Sequence, residues 1–196
     1  MKIRTIATAT VFVLGASAAL AQGTADTTQR DLNQQNRIEQ GLKSGSLTTK
    51  EAGRLEREES KIDRLQARDL KNGNLSPQER ARLQQAQNRA SHDIKAAENN
   101  GAKGNPQSAS SERMQADVQR NANQEQRIEQ GVKSGSLTNR EAAALEHGQA
   151  RVDHAEAHAA KDGHVGEHEQ DHIQHTENKQ SQTIHAEKHN ARHRKG

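Results

Sequence analysis

Ten of the eleven histidines in this 196-residue chain fall in its last fifty residues: His147, His154, His158, His164, His168, His172, His175, His185, His189 and His193. Imidazole at this density binds metal ions or protons, and the spacing points to metal. His154/His158, His164/His168, His168/His172, His185/His189 and His189/His193 are i, i+4 pairs. Such residues are neighbours on one helix face, so two imidazoles can share one ion. Glu156, Glu169, Asp171 and Glu187 lie nearby as further donors. Nitrogen and oxygen ligands without sulfur rank Cu(II) ahead of Ni(II) and Zn(II), and the chain has no cysteine to offer thiolate instead. The ten histidines are therefore the candidate metal ligands, with Cu(II), Ni(II) or Zn(II) as candidate ions and no obligatory cofactor.

The elements that must carry these residues are visible through an internal repeat. A shift of ninety positions aligns the twelve residues from Arg37 to Thr48 (RIEQGLKSGSLT) with those from Arg127 to Thr138 (RIEQGVKSGSLT). Downstream, Arg57, Arg64, Arg68, Asn74, Gln78, Arg82, Gln85, Lys95 and Asn99 align with His147, His154, His158, His164, His168, His172, His175, His185 and His189. Every replaced residue is polar, so the histidines read as additions to a solvent-facing surface. Helical geometry agrees. At about 100° per residue, His154 and His158 fall within about 20° of His147, while Leu145 and Val152 lie about 140–160° away. These two histidine stripes, one on each of the last two helices, are expected to face outward without converging.

Each copy reads as three helices, about 28–43, 49–71 and 77–98 in the first. Gly45-Ser46-Leu47-Thr48 with Glu51, and Gly73-Asn74-Leu75-Ser76 with Glu79, each combine a glycine stop with a capping box that starts the next helix. Pro77 stands at the first helical position, where its missing N–H costs nothing. The expected fold is all-α, a tandem pair of three-helix units at 22–101 and 113–196 with a flexible Gly/Asn/Pro/Ser linker at 102–112. The large aliphatics of the first unit are Ile38, Leu42, Leu47, Leu55, Ile62, Leu65, Leu70, Leu75, Leu83 and Ile94. So few make a unit marginally stable on its own. The second, where Leu65 and Leu70 become Ala155 and Ala160, is weaker still; long, mobile helices are expected, with partial disorder of the second unit as the alternative.

Composition narrows the function. Lys2 and Arg4, an apolar run from Ile6 to Leu20 and the small-x-small site Ala19-Leu20-Ala21 form a secretory signal peptide over 1–21, which implies a periplasmic address and a chain with no membrane span after cleavage. The only aromatic residue, Phe12, leaves with that segment, which removes the stacking platforms of single-strand nucleic-acid binders. Lys and Arg total 29 against 26 acids, so nucleic acid is not an expected partner. Metal ions and self-association are.

His168-Glu169-Gln170-Asp171-His172 resembles the zincin peptidase motif over these five residues, in which two helical histidines hold zinc and the Glu is general base. The continuation differs, and Glu169 aligns with the helix-starting Glu79, so no catalytic role is expected. Gly73, Leu75, Ser76 and Glu79 resemble the second half of an EF-hand calcium loop, but the first half places Arg68 and Leu70 where acids belong. The repeated R-I-E-Q-G-x-K-S-G-x-L-T phrase is similar to repeats in uncharacterised secreted helical proteins of proteobacteria, which implies the helical fold and the periplasmic address. The expected function is non-enzymatic binding or buffering of Cu(II), Ni(II) or Zn(II). The rival is a structural or stress-response envelope protein. Such a protein would respond to pH, because protonating ten histidines would carry the segment from His147 onward from about −1 to about +9. EF-hand-like calcium binding is a lesser alternative.

Overall fold

A computed structural model describes residues 16–190; most of the expected signal peptide, and His193, lie outside this range. Among the described residues the chain is all helical: α1 (Ala16–Ser44), α2 (Thr49–Leu70), α3 (Pro77–Glu98), α4 (Ala109–Ser134), α5 (Asn139–Ala159) and α6 (Glu167–Lys188), with a short 3-10 turn at Ala160–Asp162. None of these helices is long and apolar enough to cross a membrane. α1 begins well before the expected start near residue 28; the other boundaries of the first half lie within a residue of those expected.

Local chemistry sets those boundaries. Thr48 Oγ1 accepts from the Glu51 N–H at 3.2 Å while Glu51 Oε2 accepts from the Thr48 N–H at 2.9 Å. Ser76/Glu79 and Thr138/Glu141 repeat the arrangement, which satisfies donors that the first helical turn leaves open. α1 and α4 end alike. Gly45 (φ 72°) and Gly135 (φ 75°) take the left-handed conformation, and Leu47 and Leu137 donate back to the carbonyls of Gly41 and Gly131, both at 2.9 Å. Gly45 and Gly135 themselves donate to the Leu42 and Val132 carbonyls, so the left-handed turn satisfies acceptors that the last helical turn leaves open.

The two halves do not form separate units side by side. α2 pairs with α5 and α1 with α4, and both pairs run antiparallel. Asn139 at the start of α5 donates to the Gly73 carbonyl beyond the end of α2 (2.8 Å), and Ser60 Oγ donates to the Ala150 carbonyl (2.7 Å). Ser60 and Ala150 are repeat equivalents, so like meets like at the centre of the pair. α3 and α6 lie on the outside of this four-helix layer, held by matching bonds. Arg37 donates to Ser91 Oγ (2.9 Å) and Arg127 to Ser181 Oγ (2.7 Å), while Gln34 and Gln124 donate to the carbonyls of Gln87 and Glu177.

This interlocking explains why so few aliphatics suffice. Neither apolar cluster belongs to one half. One joins Ile38, Leu42, Leu47 and Leu55 to Met114, Val118, Val165 and Ile173; the other joins Leu70, Leu75 and Leu83 to Ile128, Val132, Leu145 and Ile184. All the expected core aliphatics of the first half are buried except Leu65, which is partly buried. The alternative of partial disorder in the second half came from its own apolar content; its three helices run through to Lys188, with the first half supplying the missing walls. The segment expected to be a flexible linker is also tied down: the Gly104 N–H bonds the Gly45 carbonyl at 3.0 Å, and Gln115 donates to the Pro106 carbonyl at 2.8 Å.

The halves approach most tightly at Gly53, where an added Cβ would sit 2.5 Å from the Cβ of Ala160. Gly53→Ala is therefore expected to destabilise the protein by about 1–3 kcal/mol, the usual range for an overpacked core. In urea the midpoint should fall with an unchanged slope. An unaltered midpoint would mean that α2 and α5 can separate freely.

Candidate functional site

All nine described histidines of the C-terminal set are exposed, and so are all nine of their repeat equivalents in the first half. The imidazoles thus occupy surface positions that the other half fills with Arg, Lys, Asn or Gln. His154 and His158 on α5 share a surface groove of about 490 Å³ with His172 on α6, lined also by Arg64, Arg151, Ala155 and Thr176. The two stripes come nearest here, with one histidine of α6 lining the same groove as two of α5, although the three do not form a group of donor atoms within 4.8 Å of one another. His185 and His189 stack with ring centroids 4.2 Å apart, and His189 Nδ1 lies 2.7 Å from the His185 carbonyl. His147 Nδ1 accepts from Arg151 at 3.2 Å. His164 and His168 flank the N-terminus of α6, and His175 lies on its outer face. The Glu169 carboxylate accepts from the Gly166 N–H at 2.8 Å, the capping position that its alignment with Glu79 implies.

Among the described residues no histidine belongs to a group of three ligands with donor atoms already close together; the two groups that qualify consist of buried carboxylates. Asp31, Asp63 and Glu146 form one, and Glu56, Asp153 and Glu156 the other, the donor atoms within each lying within 4.8 Å of one another. Glu59 and Glu125 join them in the same core. Thirteen acidic side chains are buried among the described residues, against no lysine or arginine.

This interior is built from helix faces that segregate charge by sign. Glu56, Glu59 and Asp63 fall within about 100° of Leu55 around α2, on the buried side. Lys50, Arg54, Arg57, Lys61, Arg64, Arg68 and Lys71 run along the opposite, exposed side. Around the two groups neutral amides are the nitrogen donors. Gln87 Nε2 bonds Asp31 Oδ1 (2.6 Å), Gln35 Nε2 bonds Glu56 Oε2 (2.9 Å), and Asn121 Nδ2 bonds Asp153 Oδ1 (2.6 Å) and Glu156 Oε2 (3.2 Å). Neither oxygen of Glu59 nor of Glu146 accepts a hydrogen bond of normal geometry.

Burial makes such carboxylates hold their protons. Asp31 and Asp153 are pushed up to about 7, and Glu56, Glu59, Asp63, Glu125, Glu146 and Glu156 well above the ordinary glutamate and aspartate values. Desolvation is the leading cause throughout, with neighbouring carboxylates adding to most of the shifts. Asp117 and Glu177 rise for the same leading reason, to about 7 and about 8, although Arg120 lies 3.4 Å from Glu177.

The chain matches no family model, no curated protein and no solved structure. The geometry alone therefore carries the functional argument. Composition treated the acids as ordinary solvated partners of the bases, and that averaging hid the carboxylate core. The sign of charge around α2 was the signal that could have revealed it.

These shifts give the metal-free protein a definite pH dependence. A carboxyl whose folded pKa is raised contributes stability that is fully present below its unfolded pKa, about 4, and lost as pH rises through its folded value. In chelator-treated protein the thermal midpoint is expected to fall steadily between about pH 4.5 and 7.5, where the unfolded chain has ionised its carboxyls while folded Asp31, Asp153, Asp117 and Glu177 still hold protons. A midpoint that is flat or rises across this window would contradict the buried placement of these acids.

Proposed function

We propose that this protein binds and buffers divalent transition-metal ions, Cu(II), Ni(II) or Zn(II), on a histidine-bearing surface, and that it does so in the periplasm after cleavage of residues 1–21. The observation that carries the reading is the groove where His154 and His158 from α5 meet His172 from α6. Two imidazoles one helical turn apart supply a chelating pair, and a third from the neighbouring helix closes around an ion, with water in the remaining positions. The exposed sites exchange ions readily, which suits buffering rather than permanent storage. Nothing in this role needs a chemical step, so the reading is non-enzymatic.

Changing His154, His158 and His172 together to Gln is expected to weaken the tightest Cu(II) or Ni(II) binding at least about tenfold, a loss of about 1.4 kcal/mol, with helicity unchanged. Competition against a chromophoric chelator at pH 7.5 measures it. Equal affinity in the variant would place binding on generic histidine density and sink the groove as a site.

A second reading, a structural envelope protein, draws on the exposed basic row along α2. Near its C-terminal end Arg64, Arg68 and Lys71 share a groove of about 510 Å³ with Arg140 and His147 of α5. Those cations suit contact with an anionic surface.

A further inference from the structure

We propose that the bundle core is an internal two-cation site, with one hard, oxygen-preferring divalent ion held by Asp31, Asp63 and Glu146 and a second by Glu56, Asp153 and Glu156. This inference is independent of the histidine surface. Three observations carry it.

The first is proximity without compensation. Donor atoms within 4.8 Å of one another can be drawn around a single ion with oxygens at about 2.3–2.6 Å. Carboxylates buried without cationic partners are paired, protonated or bound to metal, and no lysine or arginine is buried here to pair with them. Cores of helical bundles build metal sites in this way, from side chains of facing helices.

The second is symmetry. The ninety-residue shift carries Asp63 onto Asp153 and Glu56 onto Glu146. Each group therefore takes an Asp from one half and a Glu from the other, and the repeat exchanges the two groups. The remaining ligands differ in a telling way. Asp31 has Asn121 as its equivalent, and Glu156 has Gln66, so each group places one further carboxylate where the other places an amide. The two groups also touch: Asp63 lies within hydrogen-bonding reach of Asp153.

The third is vacancy of bonding. Gln66 is fully buried, near enough to Asp31 and Glu146 to hold both carboxyls down, yet neither its amide oxygen nor its amide nitrogen makes a hydrogen bond of normal geometry. Asp31 Oδ2, Glu56 Oε1, Asp153 Oδ2, Glu156 Oε1 and both Glu146 oxygens also accept none of normal geometry. Unsatisfied acceptors turned into one dry space are what a cation would satisfy. Since every donor is oxygen, the chemistry favours ions of the Mn²⁺ and Ca²⁺ class over Cu(II) or Zn(II).

The test uses the purified protein, unfolded in denaturant with chelator, desalted, and refolded with Mn²⁺ so that a closed bundle cannot exclude it. The electron paramagnetic resonance signal of free Mn²⁺ reports uptake, and Ca²⁺ serves as competitor. Two ions per chain are expected, with a raised thermal midpoint. The same two are expected when His154, His158 and His172 are all changed to Gln. Glu146→Gln and Glu56→Gln should each leave one ion, and Asp63→Asn with Asp153→Asn none. If that double variant fails to fold, the two single glutamine variants decide the matter. The proposal is overturned if the wild type takes up neither Mn²⁺ nor Ca²⁺, if Glu146→Gln and Glu56→Gln both retain two ions, or if the histidine changes abolish uptake. Failure of the Cu(II) or Ni(II) experiment leaves these outcomes unaffected.

Discussion

Carboxylates enclosed without a basic partner are the constraint on which this structure turns. A buried charge costs several kcal/mol unless something neutralises it. Amides and neighbouring carboxyls are what reach the acids of the two central groups, while arginine and lysine reach buried acids further out, Asp69, Glu129 and Glu177. The bundle exists on condition that the core is occupied, by protons or by cations. Helix pairing, apolar clusters and caps all operate within that condition. The two apolar clusters flank the acidic centre and draw residues from both halves, so the carboxylates sit where the four central helices are clamped from either end.

Much of this was legible in the chain. Thr48 with Glu51, Ser76 with Glu79 and Thr138 with Glu141 marked helix starts because a capping box is a local device, complete within four residues. The outward direction of the histidines followed from angle alone, and the aligned positions in the first half supplied the comparison. What the sequence concealed was the partnership of α2 with α5 and α1 with α4. Each half looked only marginally stable because it was judged alone. Leu55 and Ile38 complete their packing against Met114, Val118 and Ile173, more than fifty residues away, and no local pattern encodes that.

The carboxylate core was concealed for a different reason. Glu59 and Asp63 lie on the same side of α2 as Leu55 and Ile62, a placement that ordinary amphipathic helices avoid. Charge counted as a composition loses this information; charge plotted around the helix keeps it. The repeat contains a further hint. Between equivalent buried positions acid exchanges with amide, as at Asp31 and Asn121 or Gln66 and Glu156, while Glu56/Glu146 and Asp63/Asp153 stay acidic. On the outer faces arginine exchanges with histidine instead. The two kinds of exchange separate interior from exterior.

That separation of charge also determines how the molecule meets its surroundings. The formal charge is +3, yet half the acids are hidden while every described lysine and arginine remains at or near the surface. From outside the protein is a polycation, whose field speeds the approach of anions and slows that of cations. A positive ion bound for the interior would have to climb this barrier and then open the bundle. A cation of the class proposed for the core would enter most readily as the chain folds, before the surface charges and the closed helices stand between it and the carboxylates.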